Sequence, residues 1–225
     1  MHPILRRVLG AMLLAVATVS QAADKLDGGS ADRQLTRAQA LQAVTDPQPE
    51  TRLRAVERLA EVGTMADAGR LVARLRDDNA GVRALAAAAL WEIWSRSGDA
   101  GIDALFRQGL RQMEAADLDA ALATFSEIIR RKPEFAEGWN KRATILFLAG
   151  QHGKSLKDCD EVLKRNPNHF GALSGMAQIH ILLGHPEEAL AAYERAIRIN
   201  PNLPDAEENL KALRDAVSAK RAKTV

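Results

Sequence analysis

From about residue 35 onward, apolar residues recur three or four positions apart, separated by polar and charged ones, as on one face of a helix. Val/Ile/Thr runs with a period of two are absent after residue 20, so the pattern predicts helices throughout and no sheet. The helical stretches are punctuated at a fixed interval. Pro133, Pro167 and Pro201 lie 34 residues apart and each closes a helical run: SEIIRRKP, DEVLKRNP and YERAIRINP. A fixed period of this length predicts stacked copies of one supersecondary unit.

Counted so that the proline is position 32, the units begin at Ile102, Ala136 and Phe170. Position 4 then holds Leu105, Trp139 and Leu173, and position 8 the small residues Gly109, Ala143 and Ala177. Position 15 holds Ala116, Gly150 and Gly184. Position 20 is Ala121, Ser155 and Ala189, and position 24 is Phe125, Cys159 and Tyr193. Small residues at positions 8 and 20 let two antiparallel helices approach closely, and large ones at 4, 11 and 24 fill the space left. Glycine at position 15 ends the first helix in a left-handed conformation, and the proline stops the second.

This frame disposes of a nucleotide-binding reading of AGQHGKSLKDC, residues 149–159. Gly153-Lys154-Ser155 could end a phosphate-binding loop, but the first glycine of such a loop should stand where the chain has Leu148, and no strand precedes it. Gly150 is instead a helix-ending glycine, and Ser155 a packing position of the second helix.

The offsets resemble the tetratricopeptide repeat, a 34-residue helix-turn-helix unit. Upstream, a weaker period of 31 pairs Asp46 with Asp77, Arg52 with Arg83, Ala55 with Ala86 and Leu59 with Leu90. The segment from RLRAVERLAEVG to RALAAAALWEIW looks like short HEAT-like repeats, with Gly63 at the turn of the first and Trp94 in its place in the second. The resemblances together imply an all-α, right-handed solenoid of antiparallel helix pairs. HEAT-like helices over 35–97 would be followed by three units over 102–135, 136–169 and 170–203. A capping helix over 204–217 and a basic, solvated tail over 218–225 would complete it. Trp91 and Trp94 are expected to seal the junction with the first unit.

In the family resembled, positions 2, 5, 9 and 12 of the first helix line a groove that takes peptides or helices. Carried over, the candidate partner-binding residues are Asn140, Thr144, Phe147, Ser174, Gln178 and Ile181, with Phe106 and Leu110 in the first unit. Phe106, Leu110 and Met113 have an alternative role, packing on Trp91 and Trp94 to close that end. The clamp with which some members hold a carboxylate tail needs lysine and asparagine at positions 5 and 9, or lysine and arginine at positions 2 and 6; here Phe106 and Leu110 stand at the first pair in the first unit, and Gly171 and Gly175 at the second pair in the third, so that recognition is not expected.

Composition narrows the function. Arg6 and Arg7 precede an apolar run from Val8 to Val19, and Ser20-Gln21-Ala22 offers small residues for cleavage, so residues 1–22 read as an export signal. That run is too short to span a bilayer. Residues 23–34 would then be a flexible tether, and no integral membrane segment would remain. The full chain has 31 basic and 29 acidic residues; without the two leader arginines the balance is even, which gives no electrostatic case for nucleic acid. Arg54, Arg58, Arg70, Arg74, Arg76 and Arg83 are interleaved with acids, and internal pairing competes with an acidic-partner site. The single cysteine, Cys159, falls on an interior position. The histidines show no metal-ligand spacing and the hydroxyls no nucleophile signature, so neither cofactor nor metal nor reaction is expected. The expectation is an exported, periplasmic or secreted, non-enzymatic adaptor or assembly factor that binds a protein or peptide. The alternative is a non-catalytic scaffolding subunit of an envelope enzyme or cofactor-maturation complex.

Overall fold

A computed structural model describes residues 34–224; the export-signal reading and all but the last residue of the tether lie outside them. The described residues form eleven α-helices and one 3-10 turn, with no strand among them. In chain order the helices are α1 (Arg37–Ala43), α2 (Pro49–Val62), α3 (Ala68–Arg74), α4 (Ala80–Trp94), α5 (Ala100–Glu114), α6 (Leu118–Arg131), α7 (Ala136–Leu148), α8 (His152–Arg165), α9 (Phe170–Leu182), α10 (Pro186–Ile199) and α11 (Ala206–Thr224).

Helix starts are set by local chemistry. Thr36 and Gln39 form a reciprocal capping box on α1. The side chains of Asn79, Asp99 and Asp117 accept first-turn amides of α4, α5 and α6. Pro186 opens α10, where a missing amide proton costs nothing.

Helix ends inside the three units follow position 15. Gly150 and Gly184 have φ of 71° and 75°, and Ala116, their counterpart, is held at 57°. A side chain is strained in that region, so the first unit carries a local cost that the other two avoid.

Each unit is an antiparallel pair: α5 with α6, α7 with α8, α9 with α10. The close approach predicted at position 8 is visible at Gly109, where a Cβ would stand 2.6 Å from the Phe125 ring. Position 20 is sealed throughout: Ala121 and Ala189 are fully buried, and the Ser155 hydroxyl donates to the Ala143 carbonyl at 2.7 Å. Phe125, Cys159 and Tyr193 are buried at position 24. The last helix is longer than expected. It caps the third unit through Leu210 and Leu213, then runs on to Thr224 through the residues read as a solvated tail.

The upstream helices repeat a hydrogen-bond pattern with the predicted register. Arg52 donates to the Asp46 and Pro47 carbonyls, and Arg83 donates to those of Asp77 and Asp78. Arg52 also grips the Asp77 carboxylate through two nitrogens, with the pair buried.

The placement of these helices corrects the expected junction. Trp91 and Trp94 do not pack on the first unit. Their core extends to Phe170, Leu173 and Ala196, with Leu163, Ile199 and Leu203 around it. Ser95–Asp99, with Gly98 at φ 77°, links α4, which lies beside the second and third units, to α5 at the start of the first.

Candidate functional site

The first helices of the units, α5, α7 and α9, present the positions expected to line the groove. Phe106 is corrected out of that set. It is 3% exposed, with ring centroids 5.8 Å from Phe125 and 5.4 Å from Phe135. Phe135, in the turn after α6, covers it, so Phe106 is core of the first unit. Leu110 and Met113 join the same cluster with part of their surface left open. None of the three packs on Trp91 or Trp94.

In the second unit Asn140 is buried, and its amide donates to Glu137 at 2.9 Å. Thr144 is half-buried and donates to the Asn140 carbonyl. Phe147 is half-buried against His152, with Leu148 beside it 53% exposed. In the third unit Ser174 donates to the Phe170 carbonyl, and Gln178 and Ile181 are half-buried. Leu182 and Leu183 are exposed at the end of α9.

The hydroxyls are thus turned back onto their own helices, where their oxygens can still accept. The hydrocarbon left open at these positions is that of Leu110, Met113, Phe147 and Ile181, with Leu148 and Leu182 exposed beside them. The crevice between α7, α8 and α9, lined by Asn140, Thr144, Phe147, Cys159 and Ile179 among others, has a volume of about 10 Å³. That is room for one water-sized group, so the crevice admits no larger side chain.

A buried charge stands in the first turn of α7, and helical periodicity does not foresee its burial. Glu137 is fully buried at position 2 of the second unit, and His169, also fully buried, ends that unit. The His169 Nδ1 accepts the Ala172 amide at 2.9 Å, capping α9, so its Nε2 donates to Glu137 Oε1 at 2.7 Å. Burial pushes the Glu137 carboxyl up, but the Lys141 charge and hydrogen bonds from His169 and Asn140 outweigh it and hold it at about 2.

Trp94 stacks on the His169 ring with centroids 4.6 Å apart, and Trp91 meets it edge-on at 5.3 Å. Lys141 Nζ lies 3.8 Å from Glu137 and 5.8 Å from the centre of the Trp91 ring. A Cβ at Gly171 would stand 2.5 Å from Trp91, so the missing side chain at that groove position is what admits the indole.

The arginine-rich face is largely consumed internally. Arg58 pairs with Glu61, Arg74 with Asp77, and Arg83 donates to Asn202 at 3.0 Å. Arg76 donates to the Arg198 and Ile199 carbonyls at the end of α10. Among the described residues no group of three His, Cys, Asp or Glu side chains is arranged to hold a metal, and no helix is long and apolar enough to cross a membrane.

Comparison with known proteins addresses the three units directly. Tetratricopeptide-repeat sequence profiles match residues 106–168 and 146–214. A TPR repeat-containing protein of Rhizobium etli is 40% identical over 70 residues, which are 31% of this chain and 34% of that protein. The match therefore spans about a third of the relative's length. Among solved structures, the first TPR of Spaghetti (RPAP3) bound to the HSP90 peptide SRMEEVD is similar at 21% identity and a TM-score of 0.50. That match covers 52% of this chain and 93% of the other. The Sgt2 TPR domain of Aspergillus fumigatus is similar at 20% identity and a TM-score of 0.50, covering 55% and 83%.

Proposed function

From the premise that this chain is a tetratricopeptide-repeat protein across residues 106–214, we propose that it is a non-enzymatic adaptor or assembly factor. Its groove would take an apolar segment of a partner protein. The observation that carries the reading is the exposed hydrocarbon along the ends of α7 and α9. Leu148 is 53%, Leu182 37% and Leu183 40% exposed, next in sequence to half-buried Phe147 and Ile181. Such a surface suits the apolar face of a partner helix, seated by a few anchors rather than by a deep pocket.

The charges argue against an acidic tail. Lys141, the cation of the second unit's groove face, is engaged by Glu137 and Trp91, and Glu137 itself remains an anion. A carboxylate entering there would meet one committed cation and one fixed negative charge. The partner class is accordingly an amphipathic helix or apolar peptide.

Export through residues 1–22 would place this adaptor in the periplasm or outside the cell. Arg6, Arg7 and the apolar run from Val8 to Val19 support that part of the reading. An immunoblot of fractionated cells tests it: the chain should be enriched outside the cytoplasm and shortened at its N-terminus.

The groove itself is tested by co-purification of the full chain with its partner. F147E and I181E should lose the partner while K157E, on the exposed face of α8, keeps it. Equal recovery with all three variants would overturn the groove reading.

A further inference from the structure

The helix α4 touches the turns after the third and the second repeat units. At its start, Arg83 donates to Asn202 Oδ1, Asn202 Nδ2 donates to the Leu75 carbonyl at 2.6 Å, and the neighbouring Arg76 caps α10. These contacts hold the turn after the third unit. At its end, Trp91 and Trp94 enclose His169 and Phe170 in the turn after the second unit. In the link that follows, Arg96 donates to the Ala60 and Gly63 carbonyls of the N-terminal helices, and the Ser97 hydroxyl donates to Asp103 of α5 at 2.6 Å, so the link is pinned where it enters the first unit.

A stack of repeats is held mainly by contacts between neighbours, so its pitch is soft unless something ties several units together. Here one helix reaches the turns after the second and third units, and its link is hydrogen-bonded into the first helix of the first unit. We propose that the N-terminal helices are a brace that fixes the pitch of the three-unit stack, with Trp91, Trp94, Arg76 and Arg83 as positioning residues for the groove. The Glu137–His169 pair is the anchor in the middle: its imidazole caps α9, takes the Trp94 face and ties α9 to α7. A groove held at one curvature is preorganised, so its partner meets a surface that has already lost its freedom.

The consequence for affinity rests on the groove reading above, but the brace can be read without any partner. Spin labels at A123C and A191C, both on exposed positions of α6 and α10, report the separation of the first and third units. Native Cys159, at 4% exposure, stays unlabelled. In the otherwise unchanged chain the distance distribution should be narrow. In R76A/R83A and in W91A/W94A it should widen by half or more, with far-UV helicity retained; W91F/W94F should restore the narrow form. Residues of merely local importance would lower the unfolding midpoint and leave the width alone. Unchanged width in folded R76A/R83A overturns the proposal, and that variant decides the matter if W91A/W94A does not fold. Failure of the groove reading leaves the label distances untouched, so the two ideas fail separately.

Discussion

Trp94 and His169 stack with ring centroids 4.6 Å apart and planes 23° from parallel, joining the N-terminal helices to the turn between the second and third repeat units. Trp94 is 2% exposed and His169 fully buried, so this contact is a core contact between distant parts of the chain. Truncating Trp94 removes a large buried ring and leaves a cavity beside a buried polar network. W94A should cost about 3–5 kcal/mol in urea unfolding. W94F, which keeps a ring over the imidazole, should lose less than half as much.

Glu137 makes stability depend on acid. Its folded-state value of about 2 lies below the usual 4.5, so its contribution is present above about pH 4.5 and is lost as pH falls toward 2. The difference corresponds to roughly 3 kcal/mol. Unfolding free energy measured from pH 7 down to pH 3 should fall more steeply in the unaltered protein than in E137Q. Parallel curves would contradict the assignment of Glu137 as the buried anion.

The first unit carries a strained residue that the other two do not. Ala116 has φ of 57° where Gly150 and Gly184 stand in the later units. Ala116→Gly relieves the left-handed strain and gives back part of the gain as unfolded-chain entropy. The net effect should be a stabilisation of about 0.5–1 kcal/mol. A thermal melt should show a higher midpoint, where the same substitution in the middle of a helix would lower it.

Cys159 should behave as packing. It is 4% exposed, and burial first, then the nearby Asp158 and Asp160 charges, push its thiol up to about 12. Thiolate is the reactive form, so a colorimetric thiol reagent at pH 8 should show almost no reaction until denaturant is added. Prompt modification of the native protein would mean that α8 opens locally.

The period of 34 residues was enough to place the helix pairs, because each constraint it encodes is local: a close approach at Gly109, a left-handed end at Gly150, a packing hydroxyl at Ser155. What lay beyond local pattern was which surface Trp91 and Trp94 would find. Helical periodicity shows that a face is apolar and says nothing about a partner many residues away. The signal was present in another part of the chain, as a missing side chain at Gly171 next to His169 and Phe170. Phe106 shows the same limit at short range. Its position in the unit points to the groove, yet Phe135, contributed by the following turn, closes over it. The buried Glu137 was legible only as a charge at a groove position, since its protection depends on His169 at the far end of its own unit and the cover of that imidazole on α4.

The most direct test of a partner-binding groove is photo-crosslinking in cells, with the probe at Phe147 and a control at Lys157 on the exposed face of α8. A partner-binding groove should give one dominant protein adduct at position 147, absent at 157, lost when I181E is added, and mapping to an apolar helical segment of the partner. Adducts equally frequent at both positions, or none at 147 in a folded and expressed chain, would contradict it.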